Sequence, residues 1–102
     1  MKKILTSLTV VCLFSVGAAF AADDGESLFQ ANCQGCHGAD GSRVPPNAAG
    51  AVKGLGEDQI LKMLSGYKDG SFGGKSKQVM KGVVSRLSDD QLKSVAGYAA
   101  KL

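Results

Sequence analysis

The sequence predicts a small all-α domain, and two observations favour that class. Apolar residues recur at helical spacing in several segments, and almost nowhere alternate with polar residues at the period of two that strands show. The chain has 102 residues, a formal net charge of +3, three cysteines and one histidine. This length suits one domain, and so mild a positive charge disfavours a nucleic-acid-binding role.

The first 21 residues predict a secretory signal peptide, 1–21. Two lysines precede an apolar run, Ile4 to Phe20, which is marginal for a membrane anchor because a span needs roughly 20 residues. The run ends in Ala19-Phe20-Ala21, whose small first and third residues are typical of a cleavage site. Cleavage removes Cys12 and leaves residues 22–102 as one domain, with no stable membrane insertion.

The first two helices of this domain are predicted from apolar spacing. We expect one over about Asp24 to Cys33, because Gly25 and Phe29 are four residues apart and share a face. A second helical stretch contains residues 57–64, where apolar side chains recur at i, i+1 and i+4. Residues 38–54, rich in Gly, Ala, Pro and Asn, predict a loop between them.

The C-terminal part of the chain predicts further helices. A glycine-rich loop, residues 68–75, is followed by new apolar periodicity from Val83. The last helix is expected over about Asp89 to Lys101, because Ser88 and Gln91 have the spacing of a capping box.

The strongest chemical signal is Cys33-Gln34-Gly35-Cys36-His37. In an exported protein, Cys-x-x-Cys-His predicts covalent haem attachment, with two thioether bonds to the haem and the histidine as an axial iron ligand. Residues three apart on a helix lie on one side, so both thiols can reach the same group. A domain this small also commonly needs a bound cofactor, a metal or a disulfide for stability.

Three other interpretations of the motif fit less well. A disulfide between Cys33 and Cys36 leaves the adjacent histidine unexplained. A structural zinc site needs four ligands, and no second pair follows in the sequence. A thioredoxin-like redox pair expects a preceding strand and a parallel sheet.

The second axial position of the iron has several candidates: Met63, Met80, water, or no ligand. Met63 lies in a helical apolar pattern and is interpreted as a core residue. Met80 follows the glycine-rich loop, and its separation from His37 allows the chain to return on the opposite face of the haem. The pattern therefore favours Met80.

Over residues 23–102 the sequence resembles the class I c-type cytochromes, and within them the small bacterial cytochrome c-553 subgroup. The matching features are Cys33-x-x-Cys36-His37 with Gly38-Ala39-Asp40-Gly41, the loop Gly66 to Gly74, Val79-Met80, and the helix start Ser88-Asp89-Asp90-Gln91-Leu92.

The resemblance implies four to five short helices around one covalently bound haem c, with crossing terminal helices. His37 and Met80 would be the axial ligands, and Tyr67 is a candidate haem contact. The family often has a proline about 14 residues after the haem histidine, whose carbonyl accepts the imidazole N–H. This chain has Ala51 there, so the Ala51 carbonyl is one candidate acceptor, and which backbone carbonyl orients His37 stays open. The crossing positions would be Gly25, Phe29, Val95 and Tyr98.

The function implied is a monomeric, periplasmic one-electron carrier, not an enzyme. It would shuttle electrons between a dehydrogenase or membrane complex and a terminal reductase, oxidase or peroxidase. The alternative is a five-coordinate haem sensor or weak peroxidase, in which Met80 does not bind the iron. A local excess of basic residues predicts transient, acidic redox partners. Those residues are Lys53, Lys62, Lys68, Lys75, Lys77, Lys81 and Arg86.

Overall fold

The computed structural model describes residues 24–75 and 77–102, so the predicted signal peptide, residues 1–21, lies outside the described residues. Within those two ranges the chain is helical and has no strand, which confirms the all-α prediction. None of the helices in the described ranges is long and apolar enough to span a membrane. The helices are α1 (Gly25–Asn32), α2 (Gln34–His37), α3 (Glu57–Asp69), α4 (Lys77–Val84) and α5 (Asp89–Ala99).

Helix α1 begins and ends close to the predicted bounds. The Asp24 carboxylate caps it by accepting from the backbone N–H of Glu26 at 3.3 Å. It ends before Cys33 because that residue leaves helical geometry, with φ −122°. The chain then turns into the short helix α2, which follows the predicted first helix.

Helix α5 confirms the predicted capping box. The backbone N–H of Gln91 donates to Ser88 Oγ at 3.1 Å, and the backbone N–H of Ser88 donates to Gln91 Oε1 at 2.9 Å. The helix ends at Ala99, two residues before the predicted Lys101. Its buried face consists of Leu92, Val95, Ala96 and Ala99.

The terminal helices α1 and α5 pack against each other, as the resemblance implied. Gly25 allows this approach, because a Cβ at that position would overlap the carbonyl oxygen of Ser94. Beside it, the rings of Phe29 and Tyr98 have centroids 5.5 Å apart and an interplanar angle of 55°. Phe29 is only 1% exposed and belongs to the core, and Tyr98 is partly buried against it, so this contact lies at the edge of the core.

Helices α3 and α4 complete the core. Ile60 and Leu64 of α3 are buried with Val84 of α4 and Leu87, which follows it. Helix α3 ends at Gly70, which adopts the left-handed conformation with φ +84° that favours glycine. The core thus joins four of the helices and leaves α2 at its margin.

The close approach at Gly25 predicts a stability effect. Gly25→Ala should lower the free energy of unfolding by about 1–3 kcal/mol, because the added methyl group forces α1 away from the Ser94 carbonyl. Urea unfolding followed by far-UV circular dichroism measures the change.

The matched control is Gly82→Ala, on α4, where an added Cβ meets no atom within 4 Å. This variant should gain about 0.5–1 kcal/mol, because alanine is the better helix former. Equal stabilisation by both substitutions would contradict the packing described for Gly25.

Candidate functional site

A cavity of about 620 Å³ lies beside the core and is walled mainly by apolar side chains. All five helices face it through one or more residues, and the loop between α2 and α3 forms one side. Its volume falls within the roughly 300–1,000 Å³ typical of cofactor sites. The cavity brings together every site residue that the sequence nominated: Cys33, Cys36, His37, Tyr67 and Met80.

The local fold of α2 places both cysteines and the histidine on this cavity. The backbone N–H groups of Cys36 and His37 donate to the Cys33 carbonyl at 3.2 and 3.0 Å, which closes a single helical turn. Cys33 and Cys36 are both free thiols, not a disulfide. Burial, followed by the neighbouring Cys36, raises the pKa of Cys33 to about 11.

The donor set disfavours a structural zinc site, which needs four ligands, because of the described residues only Cys33, Cys36 and His37 lie together here. Across residues 24–75 and 77–102, no three or more His, Cys, Asp or Glu side chains cluster in a way that could hold a metal ion. Two thiols and one imidazole on an apolar wall fit a haem edge and its iron instead.

His37 is held as the neutral imidazole, because burial lowers its pKa. The neutral form is the one that binds metals. Its Nδ1 is buried, and no atom of the described residues hydrogen-bonds to it. The candidate acceptor, the Ala51 carbonyl, therefore makes no such bond. Ala51 lies on the cavity wall, but it lacks the ring with which proline fixes φ.

The structure places two methionines on the cavity. Met80 is the fourth residue of α4, half-buried and packed against the core cluster. Met63 of α3 also lines the cavity and is not part of that cluster, so its interpretation as a core residue was wrong. The apolar spacing around Met63 indicated a helix correctly but did not distinguish a core-facing from a cavity-facing position.

The glycine-rich loop fixes the ring of Tyr67 on the cavity wall. Tyr67 packs edge-on against Phe72, with centroids 5.0 Å apart and an interplanar angle of 83°. Gly66 permits this contact, since a Cβ there would lie 2.5 Å from Phe72 Cβ. Gly73 has φ +123°, and its Cβ would lie 2.7 Å from Tyr67 Cε1. The glycines therefore determine where Tyr67 lies.

Sequence reasoning missed one wall of the site. The loop from Pro45 to Val52, predicted only as a connection, lines the cavity with small and apolar residues, as do Val79 and Val83 of α4. The run of Pro, Ala and Gly was a usable signal, because small side chains let backbone approach a flat ligand closely.

Two of the seven predicted basic residues form ion pairs in the structure. Lys53 lies 3.6 Å from the Asp40 carboxylate, and Lys68 lies 3.2 Å from that of Asp89. Lys75, in contrast, lines the cavity, and Lys77 and Lys81 lie on α4 with Met80. The positive charge nearest the cavity is thus concentrated at and just before α4.

Comparison with known proteins agrees with this geometry. The sequence model of the family described as Cytochrome c matches residues 22–102. The chain is 47% identical over 104 residues to "Cytochrome c-553" of Nitratidesulfovibrio vulgaris, covering 100% of both chains. It is 37% identical over 78 residues to "Cytochrome c-553" of Desulfomicrobium norvegicum, covering 76% of this chain and 95% of the relative.

A relative from a different group is similar over a comparable length. "Cytochrome c6" of Picosynechococcus sp. is 37% identical over 114 residues, covering 98% of this chain and 93% of the relative.

The contact between Gly73 and Tyr67 predicts that replacing this glycine with a larger residue destabilises the protein. Gly73→Ala should lower the free energy of unfolding by about 1–3 kcal/mol, because it combines a positive φ with overlap on the tyrosine ring. Chemical denaturation measures the loss, and near-UV circular dichroism reports the displaced ring.

Gly74→Ala is the matched control, since an added Cβ at the neighbouring position meets nothing within 4 Å. Its unfolding free energy should stay within about 0.5 kcal/mol of the wild type. Identical behaviour of the two alanine variants would show that the loop does not hold Tyr67.

Proposed function

This chain belongs to the cytochrome c family, within the c-553 subgroup, and we propose that it is a periplasmic electron carrier with His37 and Met80 as axial iron ligands. Its cofactor is covalently bound haem c, and its activity is electron transfer, not enzyme catalysis. The observation that carries the ligand assignment is the single cavity shared by the Cys33-x-x-Cys36-His37 turn and Met80.

Cys33 and Cys36 would form the two thioether bonds, because they are the free thiols of one helical turn and both line the cavity. His37 would bind the iron through Nε2. Its Nδ1 is buried in the protein wall, which leaves Nε2 as the nitrogen available to a ligand in the cavity. The lowered pKa favours this role, since no proton has to be displaced near neutral pH.

Met80 is favoured over Met63 because its position is fixed by the core. Met80 packs against the buried cluster, and Val84, one turn later on the same helix, is only 1% exposed. Met63 lies on a helix that also buries core residues, but the Met63 side chain itself does not pack against the cluster. Tyr67 and its edge-on partner Phe72 would form the adjacent wall against the haem.

The haem, when ligated by imidazole nitrogen and thioether sulfur, exchanges single electrons and has no open position for oxygen or peroxide. The chain's residues contribute an apolar enclosure that excludes water from most of the group. The alternative, a five-coordinate sensor or weak peroxidase, requires that neither methionine binds the iron. Two thioether side chains on one cavity disfavour that alternative.

The surface for redox partners would lie around α4. Val79 is 65% exposed and lines the cavity, and Lys75 lies on the same rim. Lys81, on the same helix, is exposed. A small apolar contact surrounded by lysines suits a brief complex with an acidic protein, in which charge speeds encounter. The partners would include a dehydrogenase or membrane complex as donor and a terminal reductase, oxidase or peroxidase as acceptor.

Export to the periplasm would follow cleavage after Ala21. The family match begins at Ala22, the residue after the predicted site, and the first described helix begins at Gly25. The working protein would then be a monomer of residues 22–102 with one haem.

The ligand assignment predicts different spectra for the two methionine variants. The ferric wild type should show the far-red band of a thioether bound to haem iron, and its ferrous form should not bind carbon monoxide. Met80→Ala should lose the band and bind carbon monoxide, because the sixth position opens. Met63→Leu, the matched control, should keep the band.

The reverse pattern, with the band lost in Met63→Leu and retained in Met80→Ala, would reassign the ligand. A wild type with no far-red band and ready carbon monoxide binding would favour the sensor or peroxidase.

The α4 surface predicts a site-specific charge effect on electron transfer. With ferricyanide as an anionic oxidant at low ionic strength, Lys81→Glu should reduce the second-order rate constant about threefold or more. Lys93→Glu changes the net charge equally but lies on α5, in a surface recess separate from the cavity, and should reduce the rate less than twofold. Stopped-flow measurements over a range of salt concentrations give both values. Equal slowing by the two variants would show that net charge alone controls the encounter.

A further inference from the structure

We propose that Lys68 is a positioning residue that holds the segment carrying Met80, not a residue of the partner-binding surface. Lys68 lies in the last turn of α3, and its ammonium group Nζ donates to the Leu87 carbonyl at 2.8 Å. The same Nζ lies 3.2 Å from Asp89 Oδ1. Lys68 therefore joins the end of α3 to the connection between α4 and α5. The proposal rests on the ligation of Met80 proposed above.

The two hydrogen bonds of Lys68 connect distant parts of the chain. They span 19 and 21 positions of sequence. Side-chain hydrogen bonds such as that from Asn32 to the Leu28 carbonyl, or from Ser94 to the Asp90 carbonyl, span only four and act within one helix. Lys68 thus affects how helices are arranged relative to one another.

Leu87 moves with α4 because hydrogen bonds continue from the helix into the following turn. The backbone N–H of Leu87 donates to the Val84 carbonyl at 3.0 Å, and that of Arg86 donates to the Val83 carbonyl at 3.3 Å. Leu87 and Val84 are both buried, at 7% and 1% exposure. Fixing the Leu87 carbonyl therefore fixes the C-terminal end of the helix on which Met80 lies.

The opposite end of α4 is joined to α3 by the glycine-rich loop. Gly73 in this loop has φ +123° and lies against Tyr67 of α3 and Lys77 of α4. The attachment at Leu87 holds the other end of α4. We expect it to set how readily α4, and Met80 with it, moves away from the cavity.

The two partners of Lys68 should contribute unequally. The Asp89 side chain is 86% exposed, and ion pairs in such a setting are weakened by water and salt. The bond to the Leu87 carbonyl is partly buried and has a charged donor, which makes it the stronger contact. Loss of the ammonium group should therefore matter more than loss of the Asp89 charge.

The position of Lys68 also separates it from the α4 surface. It lines a polar surface recess with Leu61, Ser65, Asp69, Asp89 and Lys93. None of these residues belongs to the lining of the larger cavity. The sequence placed Lys68 among the basic residues expected to attract redox partners. Its contacts indicate instead that its charge joins α3 to the connection between α4 and α5.

The test uses the ferric, haem-bound protein titrated with imidazole, which competes with Met80 for the iron. Its apparent affinity rises with the fraction of molecules in which the methionine is displaced. The variants are Lys68→Leu, which keeps an apolar stem on a side chain that is 33% exposed, and Asp89→Asn. Tyr98→Leu is the control, because it weakens the ring contact between α1 and α5 without touching Lys68.

We expect Lys68→Leu to bind imidazole about threefold or more tightly than the wild type. Asp89→Asn and Tyr98→Leu should stay within twofold, even if urea unfolding shows that Tyr98→Leu is the less stable protein. Unchanged affinity in Lys68→Leu, or an equal increase in Tyr98→Leu, would overturn the positioning role. Absence of the far-red band in the wild type would instead show that the ligation of Met80 is wrong, and the proposal with it.

Discussion

The proposed attachment of the haem through the Cys33-x-x-Cys36-His37 turn is the constraint on which our account of this small domain depends. The described chain buries a modest apolar cluster, while an apolar cavity of about 620 Å³ lies directly beside it. Domains of this size are marginal without a cofactor, metal or disulfide. Helix α2 lies at the margin of the core, so the motif is stabilised chiefly by what it binds. The family membership, the free thiols and the neutral, half-buried imidazole are all consistent with this dependence.

Around that attachment, one pair of helices forms a packing contact, and another pair carries Tyr67 and Met80 on the cavity wall. Helices α1 and α5 pack against each other at Gly25 and at the Phe29–Tyr98 rings. This contact includes none of the side chains proposed to bind the haem. Helices α3 and α4, joined by a glycine-rich loop, supply Tyr67 and Met80 to the cavity. Met80 is therefore held by the same helix whose Val84 is buried in the core. The proposed bond from Met80 to iron would therefore depend on the packing of α4.

Local signals predicted much of this, and long-range contacts account for what they missed. The capping box at Ser88, the helical face of α1 and the Cys-x-x-Cys-His turn depend on neighbours within four residues, so the sequence indicates them directly. The cavity-facing position of Met63 and the unpaired Nδ1 of His37 depend on how separate segments meet. The charges show the same division. Seven basic residues looked alike in sequence, yet Lys53 and Lys68 have acidic partners in space, and Lys75 lines the cavity.

The most direct test of this dependence on haem is the unfolding of a chain that cannot attach it. Cys33→Ser combined with Cys36→Ser removes both thioether bonds while changing only one atom in each side chain. Urea unfolding followed by far-UV circular dichroism compares this variant with the haem-bound wild type. The account predicts that the double variant loses the cooperative transition, or unfolds at a far lower urea concentration. A cooperative transition at the wild-type midpoint would show that the helices hold the cavity without the attached haem, and would contradict it.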